Sequence, residues 1–316
     1  MMNSNSSEQP SPFSSTTTEA PMVKYQFINE NTPIEEYDGI FYKRDDLFQP
    51  FGMHGTCGGK VRQAISLIRT NLNTIQEDFG GKVVTHTQVH STTGTIMAQV
   101  CKFYELDCIV CIGGSSPKTL NNHHMMVLAK HWGADIRNVC GTGMHGPVLK
   151  RMRDLAEAEN AFNAVYSDNV DNFPKCILDT TAEQVMNIPD YLDNLVIPVG
   201  SGIQMAAILR GLVKYEKTVK NIYGVCIGPD RSSKIDYYVN PLEYPVHDYN
   251  MVPIKTQYGK GETQFFGGGM MDELYEAKAH KWMVENIDTS KKTLFWIVGR
   301  RPTRAGVYEN YDLTLP

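Results

Sequence analysis

Short apolar runs alternate with helical patterns along most of the chain. Six of these runs are rich in β-branched residues: VVTHT from residue 83, CIVCIGG from 108, IRNVCG from 136, NLVIPVG from 194, NIYGVCIG from 221 and TLFWIVG from 293. Several of them end in glycine, as buried parallel strands do where they meet the loop that leads into a helix. The runs therefore predict buried strands of a parallel sheet.

Helical periodicity fills the intervals around these runs. The helical patterns cover residues 61–72, 93–105, 121–133, 147–160, 205–217 and 274–286. In the first of them, Val61, Ala64, Ile65 and Ile68 fall on one face at helical spacing. The alternation predicts an α/β fold of open, twisted, mostly parallel sheets with flanking helices. In such a fold the functional groups gather at the carboxyl ends of the strands.

Composition restricts the class of protein further. The 316 residues are 41% apolar and 21% charged, which excludes collagen-like, coiled-coil and wholly disordered chains. With 30 Lys and Arg against 35 Asp and Glu, the net charge of −5 provides no bulk attraction to nucleic acid or anionic lipid. Residues 1–21 are rich in Ser, Thr and Pro and are predicted to be disordered, because they bury too little apolar surface to offset the entropy of ordering.

Several features indicate a cytoplasmic protein without a membrane span. No run approaches the roughly 20 apolar residues that a bilayer-spanning helix needs. The N-terminus lacks the basic and apolar regions of a secretory signal, so none is expected. The 7 cysteines, several of them in apolar stretches, indicate reduced and buried thiols. Cys108 and Cys111 have no second Cys/His pair to complete a zinc site, and we expect no metal.

Lys60 is the first candidate for chemistry. It follows Gly58 and Gly59 and opens a helical pattern. At such a position the helix dipole and partial burial both disfavour the ammonium form, which helps a lysine to act as a neutral nucleophile and form a Schiff base. A solvated lysine in a first helical turn is the alternative interpretation.

Gly200, Ser201 and Gly202 are the second candidate. They lie between an apolar strand pattern and a helical pattern, where successive backbone amides and the Ser201 hydroxyl suit a phosphate group. A tight turn that binds nothing is the alternative. No lysine follows these glycines as in a nucleotide-binding P-loop, so nucleoside triphosphate hydrolysis is not expected.

Another glycine-rich loop has the spacing of a dinucleotide-binding motif. Gly141, Gly143 and Gly146 are spaced as G-x-G-x-x-G between a strand pattern and a helical pattern. No clean strand ending in an acidic residue follows about 20 residues later, with Asp168 as the best candidate. Binding of a nicotinamide dinucleotide is therefore the less favoured interpretation.

Taken in order, several motifs between residues 40 and 300 resemble the tryptophan-synthase-β-like group of pyridoxal-phosphate (PLP) enzymes. The similarity is greatest to the branch of 1-aminocyclopropane-1-carboxylate deaminase and D-cysteine desulfhydrase. KRDDL followed by GGKVRQ resembles the family's KR-D/E-DL…GGNK-x-RK, which implies that Lys60 is the Schiff-base lysine. VGSGIQMAAIL resembles the phosphate cup GSGGT-x-AGL, which implies cofactor contacts from Gly200, Ser201, Gly202, Ile203 and Gln204.

Further motifs of the same branch lie towards the C-terminus. DELYEAKA resembles DPVYEGKA, which implies that Glu276 faces the pyridine nitrogen and that Tyr275 lines the substrate pocket. Tyr258 and Gly259 resemble a YG turn whose tyrosine is an active-site residue. The resemblance also implies a homo-oligomer with two domains. Residues 22–80 and 165–316 would form the large PLP-binding domain, and residues 81–164 a small domain inserted in it.

The chain departs from the family pattern in two places. Where the family has Q-S-N-H-T, residues 89–93 read VHSTT, so His90 replaces the serine near the substrate and Ser91 replaces the asparagine that binds the cofactor. His90 becomes a candidate proton carrier, and His90, Ser91, Thr92 and Thr93 become candidate contacts of the substrate. The changes at residues 203 and 204 remove a hydroxyl from the phosphate cup.

The resemblance implies a PLP-dependent enzyme that acts at the α-carbon of an amino acid through a Schiff base. Deamination or β-elimination by a lyase is the first expectation. A decarboxylase or rearranging enzyme is the alternative, acting on an amino-acid adduct of a larger molecule such as a modified thymidine in viral DNA. A third alternative is a PLP-binding protein without catalysis. It would need only Lys60 and the turn of Gly200, Ser201 and Gly202, which we call the glycine cup.

Overall fold

The computed structural model describes residues 28, 30–52, 55–240, 248–255, 259–311 and 313. The predicted disordered segment 1–21 and the candidate Tyr258 lie outside the described residues.

The described strands form three sheets with six, four and two members. In chain order the strands are β1 (Ile34–Tyr37), β2 (Ile40–Arg44), β3 (Lys82–His86), β4 (Asp107–Gly113), β5 (Asp135–Cys140), β6 (Phe162–Asn163), β7 (Tyr191–Val199), β8 (Thr218–Cys226), β9 (Tyr249–Pro253), β10 (Phe265–Phe266), β11 (Gly269–Met270) and β12 (Thr293–Ile297).

The six-stranded sheet has the order β1-β2-β12-β7-β8-β9. Every neighbouring pair is parallel except the β1–β2 hairpin. Strand β12 lies between β2 and β7, so the loops after β2, β12, β7 and β8 lie side by side along one edge. That edge is where a parallel sheet presents its functional groups.

The four-stranded sheet has the order β5-β4-β3-β6 and is wholly parallel. All of its strands come from residues 82–163, whereas the strands of the larger sheet come from the flanking parts of the chain. The predicted class of mostly parallel α/β sheets is confirmed. The domain boundaries at 22–80, 81–164 and 165–316 stay a prediction.

Helices connect most of these strands. The α-helices are Gly59–Thr70, Leu72–Asp78, Thr93–Phe103, Pro117–Asn122, His124–His131, His145–Ala158, Tyr166–Asn169, Thr180–Ala182, Ile203–Lys214, Ser232–Val239, Glu276–Asn286 and Arg304–Asn310. Short 3₁₀ helices cover Asp45–Leu47 and Glu183–Val185, and a π-helix covers Lys175–Asp179.

All six predicted strands are present, and the predicted helices differ in one place. The continuous helix expected over residues 121–133 is interrupted at His123, which has an extended backbone. The His123 imidazole accepts a hydrogen bond from the amide of Met125 at 3.3 Å and so caps the second helix. The apolar periodicity runs through this break and does not reveal it.

The main core lies between helices and both larger sheets. It includes Ile65 and Ile68 of the helix Gly59–Thr70, Met97 of the helix Thr93–Phe103, and Trp296 of β12. All 7 cysteines are described, and all but Cys140 are buried, as the apolar stretches around several of them predict. Within the described part of the chain, no helix has the length and apolar character needed to cross a bilayer.

Candidate active site

Lys60 lies in the first turn of a helix that begins against the loop after β12. The helix Gly59–Thr70 follows Gly58, whose φ of +92° favours glycine. A Cβ atom at Gly58 would lie 2.4 Å from the carbonyl oxygen of Val298, and the Gly59 amide donates to the same oxygen at 3.0 Å. The two glycines therefore let the helix start close to the sheet, which brings Lys60 to the carboxyl ends of the strands.

The buried Asp45 fixes this helix against the sheet. Its carboxylate accepts a hydrogen bond from the indole of Trp296 at 3.1 Å and lies 3.5 Å from the guanidinium of Arg62. Arg62 is fully buried and lies over the ring of Phe48, 4.4 Å from the ring centroid. The conspicuous KRDDL and GGKVRQ segments thus contact each other through Asp45 and Arg62, and the contact positions Lys60.

Lys60 lines two adjoining cavities. The inner pocket is bounded by the loops after β7 and β12 and by the start of the helix Glu276–Asn286. The outer cleft, of about 490 Å³, lies between the loops after β3, β7 and β8. Gly200, Ser201 and Tyr275 line both cavities. Other predicted site residues divide between the inner pocket (Thr92, Gly202, Gln204 and Glu276) and the outer cleft (Ser91, Thr93 and Ile203).

The half-buried amine of Lys60 and the buried carboxyl group of Glu276 share the inner pocket. Burial lowers the pKa of Lys60, while Glu276 and Asp272 act in the opposite direction. Burial raises the pKa of Glu276 well above its ordinary value, and Asp272 adds to this effect. The pocket therefore favours the neutral lysine, which is the form that attacks a carbonyl carbon.

The glycine cup lies between β7 and the helix Ile203–Lys214. Gly202 has a φ of +92°, and a Cβ atom there would lie 3.0 Å from the side chain of Ile235. Gly200 lies under Tyr275, since a Cβ atom at Gly200 would lie 2.9 Å from the Tyr275 ring. The cup thus opens towards backbone amides at the start of a 12-residue helix, an arrangement that suits a phosphate group.

Gln204 supplies a buried amide beside this cup. Its oxygen accepts a hydrogen bond from the Thr181 hydroxyl at 3.0 Å, and its amide nitrogen is buried without a partner among the described residues. A Cβ atom at Gly59 would lie 2.7 Å from the same amide group, so Gln204 also lies against the start of the Lys60 helix. A buried donor without a partner is costly, and a phosphate oxygen would satisfy it.

Asp272 organises the turn that carries Tyr275 and Glu276. One carboxylate oxygen accepts hydrogen bonds from the amides of Leu274 at 2.9 Å and Tyr275 at 3.1 Å. The other accepts from the amide of Arg301 at 3.1 Å and from its guanidinium at 2.8 Å. Asp272 therefore joins the turn to the loop after β12. The sequence motif drew attention to Tyr275 and Glu276 but not to this buried carboxylate.

The loop after β3 carries Ser91, Thr92 and Thr93. The Ser91 hydroxyl donates to the Thr93 hydroxyl at 3.1 Å and accepts from the Thr93 amide at 3.3 Å. These hydroxyls are therefore ordered at the start of the helix Thr93–Phe103. Their predicted contacts with a substrate stay a prediction.

His90 is not among the residues that line either cavity. Its Nδ1 lies 3.2 Å from Nε2 of His123, and burial and the charge of Arg301 lower its pKa. A Cβ atom at Gly259 would lie 3.5 Å from its Nε2, so His90 lies near the segment that follows Tyr258. The roles predicted for His90 and Tyr258 stay predictions.

These features fit pyridoxal phosphate. The cup and the unpartnered Gln204 amide suit its phosphate, the Lys60 amine suits its aldehyde, and the Glu276 carboxyl group suits its ring nitrogen. Two mostly parallel sheets with such a pocket at their carboxyl edges define a PLP-dependent enzyme of the tryptophan-synthase-β-like type.

The chain belongs to the family of pyridoxal-phosphate dependent enzymes, whose model matches residues 14–262. It is 30% identical over 213 residues to the O-seryl-dTMP PLP-dependent decarboxylase of Salmonella phage ViI. That alignment covers 62% of this chain and 49% of the relative, so the chain matches about half the length of that protein.

Solved structures support the fold. A homologue of ACC deaminase is similar with a TM-score of 0.68 and 20% identity, covering 90% of this chain and 93% of that one. The O-acetylserine dependent cystathionine β-synthase of Helicobacter pylori has a TM-score of 0.62 and 17% identity, covering 89% and 95%. The predictions of a fold-type II PLP enzyme and of its cofactor are confirmed by the family and its relatives.

Proposed function

We propose that the chain is a decarboxylase that uses PLP bound at Lys60 and acts on a serine carried by a thymidine nucleotide. The observation that carries this proposal is the size and position of the outer cleft. The cleft begins at Lys60 and extends past the cup to Lys234 and Tyr238, which leaves room for a substrate larger than a free amino acid. The relative from Salmonella phage ViI, named for O-seryl-dTMP, supports this class of substrate.

In this proposal Lys60 binds the cofactor and later moves a proton. When bound, PLP stabilises negative charge at the α-carbon of an attached amino acid. In decarboxylation the bond to the carboxylate breaks, carbon dioxide leaves, and the electron pair left on the α-carbon takes up a proton. The Lys60 amine lines both cavities and is the side chain best placed to supply that proton.

The other residues of the site bind and orient the cofactor and the substrate. The amides of the glycine cup and the Gln204 amide would hold the phosphate of the cofactor, and Glu276 would be the partner of its ring nitrogen. Ser91 and Thr93 line the outer cleft and would offer hydroxyl groups to the substrate. A lyase that deaminates a free amino acid is the second candidate, favoured by the DELYEAKA motif and by Tyr275 at the junction of the two cavities.

The test starts with the purified protein. We expect an absorption band in the visible range that borohydride fixes, with the added mass on the peptide containing Lys60, and we expect Lys60→Ala to abolish the fixation. Synthetic O-seryl-dTMP should then release carbon dioxide, and free serine should release far less. Release of ammonia from free amino acids would favour the lyase, and no turnover of any of them would favour a non-catalytic PLP-binding protein. A cytoplasmic location and a homo-oligomer remain predictions.

A further inference from the structure

The outer cleft has a cationic wall that the chemistry at Lys60 does not use. Arg231 and Lys234 line it after β8 and carry its positive charge. His86 and His145 line it from the side of the four-stranded sheet, and burial lowers the pKa of both, which favours their neutral forms. None of the described residues that line this cleft is an aspartate or a glutamate. This local excess of positive charge stands out in a chain whose net charge is −5.

Arg231 and Lys234 form no ion pair within the described part of the chain. The Nε of Arg231 donates to the carbonyl oxygen of Gly200 at 3.1 Å, which directs this side chain along the edge of the glycine cup. Lys234 is exposed and lies one helical turn further on, in the helix Ser232–Val239. Arg231, Lys234 and His145 all line the cleft, and burial together with the charges of Lys234 and Arg231 lowers the pKa of His145.

The acidic groups nearest to this wall are engaged elsewhere. Asp168 accepts two hydrogen bonds from the guanidinium of Arg153, at 2.7 and 2.8 Å. Asp230 accepts hydrogen bonds from the amide and the hydroxyl of Ser232, at 2.8 and 2.6 Å. Asp236 accepts from the hydroxyl of Tyr249. No carboxylate of the described residues lies within ion-pair distance of Arg231 or Lys234, so an anion in the cleft would be their first ion-pair partner.

A second observation points to a ligand with polar edges. Thr85 lines the cleft and is fully buried, and its hydroxyl has no hydrogen-bond partner among the described residues. Tyr166, Tyr238 and Tyr275 line the same cleft and offer aromatic surface. A cleft with unpaired cations, an unused buried hydroxyl and aromatic rings suits a pyrimidine nucleotide better than a free amino acid.

We propose that Arg231 and Lys234 bind the phosphate of the nucleotide that carries the amino acid, while the wall around Thr85 contacts the pyrimidine. The proposal rests on the proposed function, because it assigns the part of the substrate that lies away from Lys60. The shared chemistry is a phosphate on a thymidine sugar, whether in a free nucleotide or in a DNA strand. The two cations would then select the substrate by its nucleotide part.

The test is direct binding to the PLP-loaded protein, in which the glycine cup is already filled. The probes are dTMP, thymidine and a short single-stranded oligothymidylate, measured by calorimetry at low and high salt. We expect dTMP to bind at least about ten-fold more tightly than thymidine, and its affinity to fall with salt. Binding of the oligonucleotide more tightly than dTMP would identify a DNA strand as the source, and the reverse order a free nucleotide.

Two single variants in the cleft and a control double variant outside it test whether these cations bind the nucleotide. Lys234→Gln and Arg231→Gln should each weaken dTMP binding by roughly ten-fold and leave thymidine binding unchanged. The double variant Lys118→Gln/Lys220→Gln removes two exposed charges outside the cleft and should leave dTMP binding unchanged. Among the described residues Lys234 makes no hydrogen bond to the cup, so its variant keeps the test valid if Arg231→Gln loosens the cofactor.

Other outcomes would overturn the assignment. Equal binding of dTMP and thymidine would do so, as would equal losses in the cleft variants and the control. Weaker retention of PLP in both cleft variants with unchanged dTMP affinity would assign these cations to the cofactor instead. The visible band of PLP is monitored together with nucleotide binding. A colourless protein would contradict the proposed function, whereas a coloured protein that binds dTMP and thymidine equally would contradict only the cationic site.

Discussion

The ring of Tyr275 lies directly against the backbone of Gly200, so that a Cβ atom at Gly200 would lie 2.9 Å from the ring. This contact joins the glycine cup to the turn that carries Glu276. It also explains why a glycine follows strand β7, since any larger residue at position 200 would displace the tyrosine from the junction of the two cavities.

Gly200→Ala is expected to weaken PLP binding. The added methyl group must push the Tyr275 ring away from the cup, and such overpacking typically costs about 1–3 kcal/mol. Titration of the coenzyme-free protein with PLP, followed by visible absorption, should show an affinity lower by roughly ten-fold or more. Gly146→Ala is the matched control, because a Cβ atom at Gly146 has no neighbour within 4 Å. Unchanged affinity in Gly200→Ala would refute the role of this contact.

Asp272→Asn is expected to destabilise the protein and loosen the Tyr275 turn. The substitution removes the charge that binds Arg301 and replaces one acceptor oxygen by a donor, so about 1.5–3 kcal/mol of unfolding free energy should be lost. Urea unfolding measures this loss. Asp288→Asn is the control. Asp288 is exposed in a turn, and its carboxylate accepts a hydrogen bond from the amide of Ser290 at 3.1 Å. A loss no larger than that of the control would contradict a structural role for Asp272.

Glu276→Gln is expected to change the pH dependence of stability in the coenzyme-free protein. The folded state raises the pKa of Glu276 above its unfolded value, so between these two values the folded protein binds more protons than the unfolded protein. Its unfolding free energy therefore falls as the pH rises through that interval. Glutamine does not ionise, so the variant does not lose this stability. The unfolding free energy of the variant minus that of the wild type should therefore be larger at pH 8 than at pH 5.

Urea unfolding at these two pH values checks the Glu276 prediction. Glu273→Gln provides the control, because Glu273 is exposed and lies one turn earlier in the chain. If the stability difference between wild type and Glu276→Gln is the same at both pH values, the carboxyl group does not titrate as its burial implies.

The parts of the fold that the sequence predicts are those set by local pattern. Strands β4, β7 and β12 are continuous apolar runs that are buried on both faces, and the helices between strands keep an apolar face towards the core. The hairpin β1–β2 escaped prediction because IEEY and IFYKR are short and carry charges. Lys43 and Arg44 in this hairpin are nevertheless buried, because hydrogen bonds satisfy them.

The residues of the candidate site also divide into those that a sequence motif predicts and those that only the tertiary structure brings together. Lys60 and the glycine cup stand in motifs whose local order is visible in the chain, and the structure brings them to one pocket. His86, His145 and Arg231 meet only through tertiary structure, and no spacing between them marks a cleft. Asp272 was missed because its role is to accept backbone hydrogen bonds, which leaves no pattern beyond an acidic residue before a helix.

The last prediction concerns the buried pair that fixes the Lys60 helix. Asp45→Asn should lower the unfolding free energy by about 3–5 kcal/mol, because it leaves the buried guanidinium of Arg62 without a compensating charge. Two nitrogens of Arg62 already lack hydrogen-bond partners among the described residues, so Arg62 depends on this carboxylate. The double variant Asp45→Asn/Arg62→Met removes the uncompensated charge and should regain part of the loss.

Urea unfolding of the wild type, both single variants and the double variant gives the coupling energy of the Asp45–Arg62 pair. Asp38→Asn controls for the change of side chain, since Asp38 is exposed in the β1–β2 turn, where its φ of +52° also suits asparagine. A double variant no more stable than Asp45→Asn would show that the carboxylate acts mainly through its hydrogen bonds with the Trp296 indole and the Thr32 hydroxyl and not through Arg62. In that case the close approach of Gly58 and Gly59 to Val298 and the packing of its apolar face would hold the Lys60 helix to the sheet.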